Sequence, residues 1–170
     1  MSTSVIRPGS IGNVLRLLSQ TSAVLGGVIL VGIALLTLAS VLGRSLLSSP
    51  VQGDVEIVQL ACAVALSCFL PYTQWQSANI IVDFFTAKAS ARTKGRLDAL
   101  GSFLLGLTAA LVCWRVGAGS MMAYENEETS MLIAIPIWIP YLLMLPGFAL
   151  TAAVSFYVAW EQFITRGSDE

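Results

Sequence analysis

The chain has 170 residues, 56% of them apolar and 11% charged, with a formal net charge of −1 and a mean hydropathy of +0.79. Soluble domains carry about 25% charge, so little length is left for a water-soluble fold, and the net charge of −1 gives no electrostatic footprint for nucleic acid, which needs Lys and Arg clustered on one face. Histidine is absent, which removes the usual axial ligand of membrane haem, the commonest zinc ligand and the commonest general base; no cofactor, metal site or catalytic residue is expected.

Nothing ionisable lies between Arg16 and Arg44, Glu56 and Asp83, Asp98 and Arg115, or Glu128 and Glu161. A helix of about 20 residues, rising 1.5 Å per residue, crosses about 30 Å of hydrocarbon. The windows therefore predict an all-α integral membrane protein, a single membrane domain over residues 1–170 with spans near 20–43, 55–76, 97–118 and 137–160. The apolar run from Val24 to Gly43 exceeds the about 7 to 15 residues of a signal-peptide core, so the first span is expected to be an uncleaved helix.

Arg7 and Arg16 precede the first span, Lys88, Arg92, Lys94 and Arg96 lie between the second and third, and Arg166 follows the fourth, against Arg44 alone in the opposite loops. The positive-inside rule then places both termini and the middle connection in the cytoplasm.

Arg44 closes the first helix, and Asp54 and Glu56 open the second after Ser48, Ser49, Pro50 and Gly53. An acidic first turn complements the positive end of a helix dipole, which makes solvated capping one reading. An Arg44–Glu56 ion pair that pins two helices or meets a partner is the other. Pro71 lies inside the second span, where a proline kinks or locally breaks a helix. Cys62, Cys68 and Cys113 all fall in apolar windows without CxxC spacing and read as small packing residues.

Segment 79–96, between the second and third spans, predicts a short interfacial amphipathic helix. Ile80, Ile81, Phe84 and Phe85 share one helical face, and Asn79, Asp83 and Lys88 are polar. Arg92, Lys94 and Arg96 would meet anionic headgroups of membrane lipids. A connector covering the base of the bundle is compatible with the same pattern. Small residues four apart, Ser22 with Gly26, Ala23 with Gly27, Ala61 with Ala65, and Ser102 with Gly106 and Ala110, mark candidate helix contacts.

The third window is the shortest, with sixteen uncharged residues, and leaves Arg115 towards the outer headgroups, where a long side chain snorkels or finds a buried partner. Between the third and fourth spans, Tyr124–Ser130 reads YENEETS. Its Glu125, Glu127 and Glu128 lack the twelve-residue ligand alternation of an EF-hand. They form either a solvated loop or an acidic docking surface for a soluble protein. Residues 133–141, IAIPIWIPY, carry the Pro, Trp and Tyr of an outer helix entrance, and Pro146 follows inside the fourth span.

In order and spacing, Arg44, GDVEIVQL at 53–60, NIIVDFF at 79–85 and ETSMLIAIPIW at 128–138 resemble the small membrane subunit of tripartite ATP-independent periplasmic, or TRAP, transporters, over roughly residues 20–160. Ala78 and Asn79 stand where the family often has His or Gly. The resemblance implies a bacterial inner-membrane location and two protein partners: a periplasmic substrate-binding protein that captures an organic acid, and a large membrane subunit with the substrate and sodium sites. The small subunit would be a fixed scaffold that helps dock the binding protein.

The residues agree with a scaffold in one respect. A carrier needs polar or ionisable groups near the bilayer midplane, and the window centres offer only hydroxyls, among them Thr37, Ser67, Thr108 and Ser155. The competing reading is a self-contained oligomeric four-helix transporter or exporter, which would require a membrane-embedded carboxylate; Glu56 is the nearest. A membrane oxidoreductase anchor would lack the histidines for a bis-histidine haem. Arg44, Asp54, Glu56, Arg115, Glu125, Glu127 and Glu128 are thus the candidates for assembly or docking.

Overall fold

The computed structural model describes residues 10–47, 52–76 and 91–165. Four helices fill it: α1 (Ser10–Leu47), α2 (Asp54–Trp75), α3 (Ala91–Glu125) and α4 (Trp138–Thr165). All four are long and apolar enough to cross a membrane. No strand occurs among the described residues, apart from one isolated antiparallel bridge between Thr129 and Pro136. The fold is an all-helical membrane protein with four spans.

Helix ends differ from the sequence expectation because hydropathy marks the apolar core, whereas hydrogen bonding continues past it. The 38 residues of α1 rise ~57 Å, well beyond the hydrocarbon. Ala91–Arg96, expected in the interfacial segment, instead form the opening turns of α3. Ile80, Ile81, Asp83, Phe84, Phe85 and Lys88 lie outside the described residues, as do the side chains of Arg92, Lys94 and Arg96. At its other end α3 runs on to Glu125, so Arg115 sits within the helix, ten residues (~15 Å) before its last residue.

The helices form an open row in the order α3, α4, α2, α1. Extensive packing joins α3 to α4, α4 to α2 and α2 to α1, with only light contact between α1 and α4. The α1–α2 seam uses Leu15, Ser19, Ser22, Gly26, Ile29, Ile33, Leu36 and Ser40, which alternate four and three residues apart and are all at least partly buried. That spacing keeps one narrow stripe facing a neighbour. Ser22 Oγ donates to the Cys68 carbonyl at 2.8 Å. A Cβ on Gly26 would lie 3.0 Å from the Ala65 carbonyl oxygen, so the small pair Ser22–Gly26 of α1 meets α2 at Ala65 and Cys68. Gly27, by contrast, faces open space.

Between α2 and α4 the contact is tighter. Pro71 has no N–H to offer the Ser67 carbonyl four residues earlier, and that carbonyl faces Gly147. A Cβ there would stand 2.7 Å from the Ser67 carbonyl carbon and closer still to its oxygen, so only glycine permits the approach. Both α2 and α4 continue through their internal prolines, Pro71 and Pro146. Towards the termini, Trp75 and Tyr157 stack with centroids 6.1 Å apart around Val154 and Val158, and Leu15 of α1 completes this core. Along α3 and α4, Gly106 admits Phe156 and Ser155, and Ser102, buried, meets Gln162.

The row leaves α1 and α3 at its ends. Only 11% of the most apolar stretch of α1 is buried, against 39% for α4, so most of the α1 surface faces outward. Such faces are stable in lipid, where leucine and acyl chain are equally apolar.

Candidate functional site at the loop end

At one end of the row, the start of α2 meets the α3–α4 connection; Leu15 near the start of α1, Trp75 at the end of α2 and Val158 in α4 pack at the other. Six of the seven charged candidates lie at this loop end, all but Arg115. Gly53, in the left-handed region at φ 72°, starts α2 and supplies no side-chain cap. A Cβ at Gly53 would lie 2.6 Å from Ile133 Cγ2, so glycine is needed both for the conformation and for the close approach of the α3–α4 loop.

With no cap to provide, the acidic residues of the first turn reach sideways. Asp54 accepts from the Ser40 hydroxyl of α1 and from the Val55 amide at 2.8 Å, and the Arg44 guanidinium acts on it through space. Glu56 reaches the opposite way. Its Oε2 accepts from Ser130 Oγ at 2.6 Å, and the Leu132 amide donates to both carboxylate oxygens at 3.1 and 3.3 Å. The amides of Met131 and Ile133 add to the same positive environment, a concave backbone arrangement suited to an anion. The Arg44–Glu56 ion pair raised from the sequence is therefore not what closes this end: Arg44 acts on Asp54, and Glu56 is clasped by the loop.

The loop itself is ordered by backbone bonds. α3 ends with the Glu128 amide bonded to the Ala123 carbonyl at 3.0 Å and the Glu127 amide to Tyr124 at 3.3 Å, the paired bonds of a Schellman ending. Glu127 takes the left-handed position, φ 52°, usually given to glycine. Further on, Ser130 bonds Ile135 at 2.9 Å and Ile137 bonds Glu128 at 3.0 Å, with Ala134 at φ 51°. Trp138 then begins α4, and its carbonyl accepts from Ser120 Oγ at 3.2 Å. The outer entrance read from IAIPIWIPY thus falls at the observed start of α4.

Glu125, Glu127 and Glu128 are all exposed. With Tyr124, Thr129, Pro136 and Trp138 they line an open cavity of about 420 Å³. The two aromatic rings meet edge to face at 5.7 Å. Among the described residues no group of His, Cys, Asp and Glu has the arrangement of a metal site. Arg115 stands apart, exposed on α3.

Sequence reasoning missed Ser40, Ser130 and Ile133. Ser40 sits inside an apolar run and Ser130 among acidic neighbours, so neither has a local signature. Gly53 just before an acidic helix start was the one local hint. Deeper in the helices, Thr37, Ser67 and Thr108 donate to carbonyls of their own helix at 2.9, 2.7 and 2.9 Å. Ser155 is fully buried between α3 and α4 with no hydrogen-bond partner.

A row of four long apolar helices, with a hydrogen-bonded α3–α4 loop at one end, defines a four-span helical membrane protein. Residues 33–165 match the family described as "Tripartite ATP-independent periplasmic transporters, DctQ component", and the chain belongs to that family. It is a TRAP transporter small membrane subunit. No curated protein and no solved structure matches the chain.

Proposed function

We propose that the chain is the fixed scaffold of a sodium-driven TRAP transporter for organic acids, in a bacterial inner membrane with both termini cytoplasmic. A large membrane subunit would carry solute and sodium and pack against this one, and a periplasmic substrate-binding protein would dock at the loop end. The observation that carries this reading is the state of the deep hydroxyls: Thr37, Ser67 and Thr108 are spent on their own helices, Ser155 is sealed in the α3–α4 contact, and no carboxylate or basic side chain lies among them. A solute or ion pathway needs accessible polar groups at that depth. The excess of basic residues at the termini supports the orientation, and the acidic cavity at the loop end supports docking by complementary charge.

Proteoliposome uptake tests the proposal. Solute accumulation is expected only when this chain, the large subunit, the binding protein and a sodium gradient are all present. Uptake by this chain alone would replace the scaffold with a self-contained four-helix carrier.

A further inference from the structure

Arg115 is a charge on a surface otherwise made for hydrocarbon. Ser102, Gly106, Cys113 and Ser120 of α3 all touch α4, and the 3.6-residue period puts them on one side. Arg115 falls on the other side, together with Leu104, Leu107, Leu111, Trp114 and Met122, each more than half exposed. No described residue hydrogen-bonds or ion-pairs with the guanidinium. A cation facing out of a spanning helix is costly unless it reaches an anion or the interface.

Its depth identifies the anion. Ser120 is level with the Trp138 carbonyl at the start of α4, and Arg115 is five residues deeper, ~7.5 Å along the axis. Against the N-terminal lean of helical side chains, an arginine stem bent towards the loop end recovers part of that distance, and headgroups drawn inward by local thinning of the bilayer supply the rest. Trp114 beside it is 70% exposed, placing an indole where indoles settle, at the boundary of hydrocarbon and headgroup. Above Arg115, Gly117 and Ala118 open a shallow groove walled by Trp114, Met121 and Met122, with Glu125 at its loop end. The character of the face separates lipid from protein. Close helix contacts use small residues, as α3 does towards α4 with Ser102, Gly106 and Ala109, whereas the Arg115 side offers a ridge of leucines, a surface for acyl chains.

We propose that Arg115 and Trp114 form a phospholipid site in the leaflet at the loop end: the guanidinium binds the phosphodiester, Trp114 lies at the glycerol, and the acyl chains run down Leu111, Leu107 and Leu104. This rests on membrane insertion alone and stands or falls separately from the transport proposal.

Native mass spectrometry of the full-length chain, released from detergent after incubation with one lipid, tests it. Wild type is expected to retain phosphatidylglycerol and to lose diacylglycerol with the same acyl chains. Arg115→Gln is expected to lower phosphatidylglycerol occupancy about tenfold, the scale of a lost charge-assisted contact, and Arg115→Lys, which keeps the charge but not the fork, to fall between. Equal retention of the two lipids by wild type would overturn the proposal, even if neither variant folds. Unchanged phosphatidylglycerol retention by Arg115→Gln would also overturn it. If that variant instead lost a copurifying membrane subunit, the guanidinium would be assigned to a protein carboxylate.

Discussion

Glu56, in the first turn of α2, accepts a 2.6 Å hydrogen bond from Ser130, seventy-four positions later in the chain. The contact ties the α3–α4 loop to the start of α2, while Asp54, two residues earlier, ties the same turn to Ser40 of α1. Two neighbouring carboxylates thus hold three segments at the loop end, without an ion pair between them. A charged acceptor with several donors is strongly directional, so the loop is held in register as well as in place.

Removing either half of this clasp should loosen the loop and leave the helices intact. For Ser130→Ala and Glu56→Gln, the Leu132 amide is expected to exchange hydrogen faster than in wild type, with the exchange of α1 and α4 unchanged. Equal exchange at Leu132 would show that the loop is held by its own backbone bonds alone.

Gly147 should be the least replaceable glycine. A Cβ there invades the Ser67 carbonyl, and overpacking of this kind costs about 1–3 kcal/mol or more, enough to outweigh the ~1 kcal/mol that alanine gains in helix propensity. Gly147→Ala is expected to lower the thermal midpoint in detergent. Gly27→Ala, entering open space, is expected to leave it unchanged or raise it slightly. A neutral Gly147→Ala would mean that α2 and α4 separate at little cost.

Among the described residues, two hold left-handed backbone without being glycine, Glu127 and Ala134. Such a conformation costs roughly 1–2 kcal/mol in an L-residue, so Glu127→Gly and Ala134→Gly should each stabilise the loop by about 1 kcal/mol after the added chain entropy of glycine. Differential thermal unfolding in the same detergent measures this; a fall in midpoint for both would contradict it.

The acidic cavity gives a charge test of docking. Replacing Glu125, Glu127 and Glu128 together by Gln should reduce transport by the reconstituted three-component system, more at low ionic strength than at high, because screening already weakens exposed charges more than about 10 Å apart at 0.1 M salt. An equal effect at every salt concentration would reduce the three glutamates to solvated loop residues.

The class, the number of spans and their even parity are legible in the residues alone, since hydropathy, length and the absence of charge are sums along the chain and need no neighbour. The sequence also marks Gly53, the acidic turn and the Trp138 entrance, because caps, dipoles and interfacial aromatics act within a few residues. Packing between distant segments settles that the helices lie in the row α3, α4, α2, α1, that Gly26 and Gly147 are close-contact glycines while Gly27 is open, and that Glu56 meets Ser130 instead of Arg44. Small residues at four-residue spacing occur on several faces, and a carboxylate takes whichever donor the backbone brings within about 3 Å. Which face is covered and which donor arrives depend on segments far apart in sequence, and no local pattern records that.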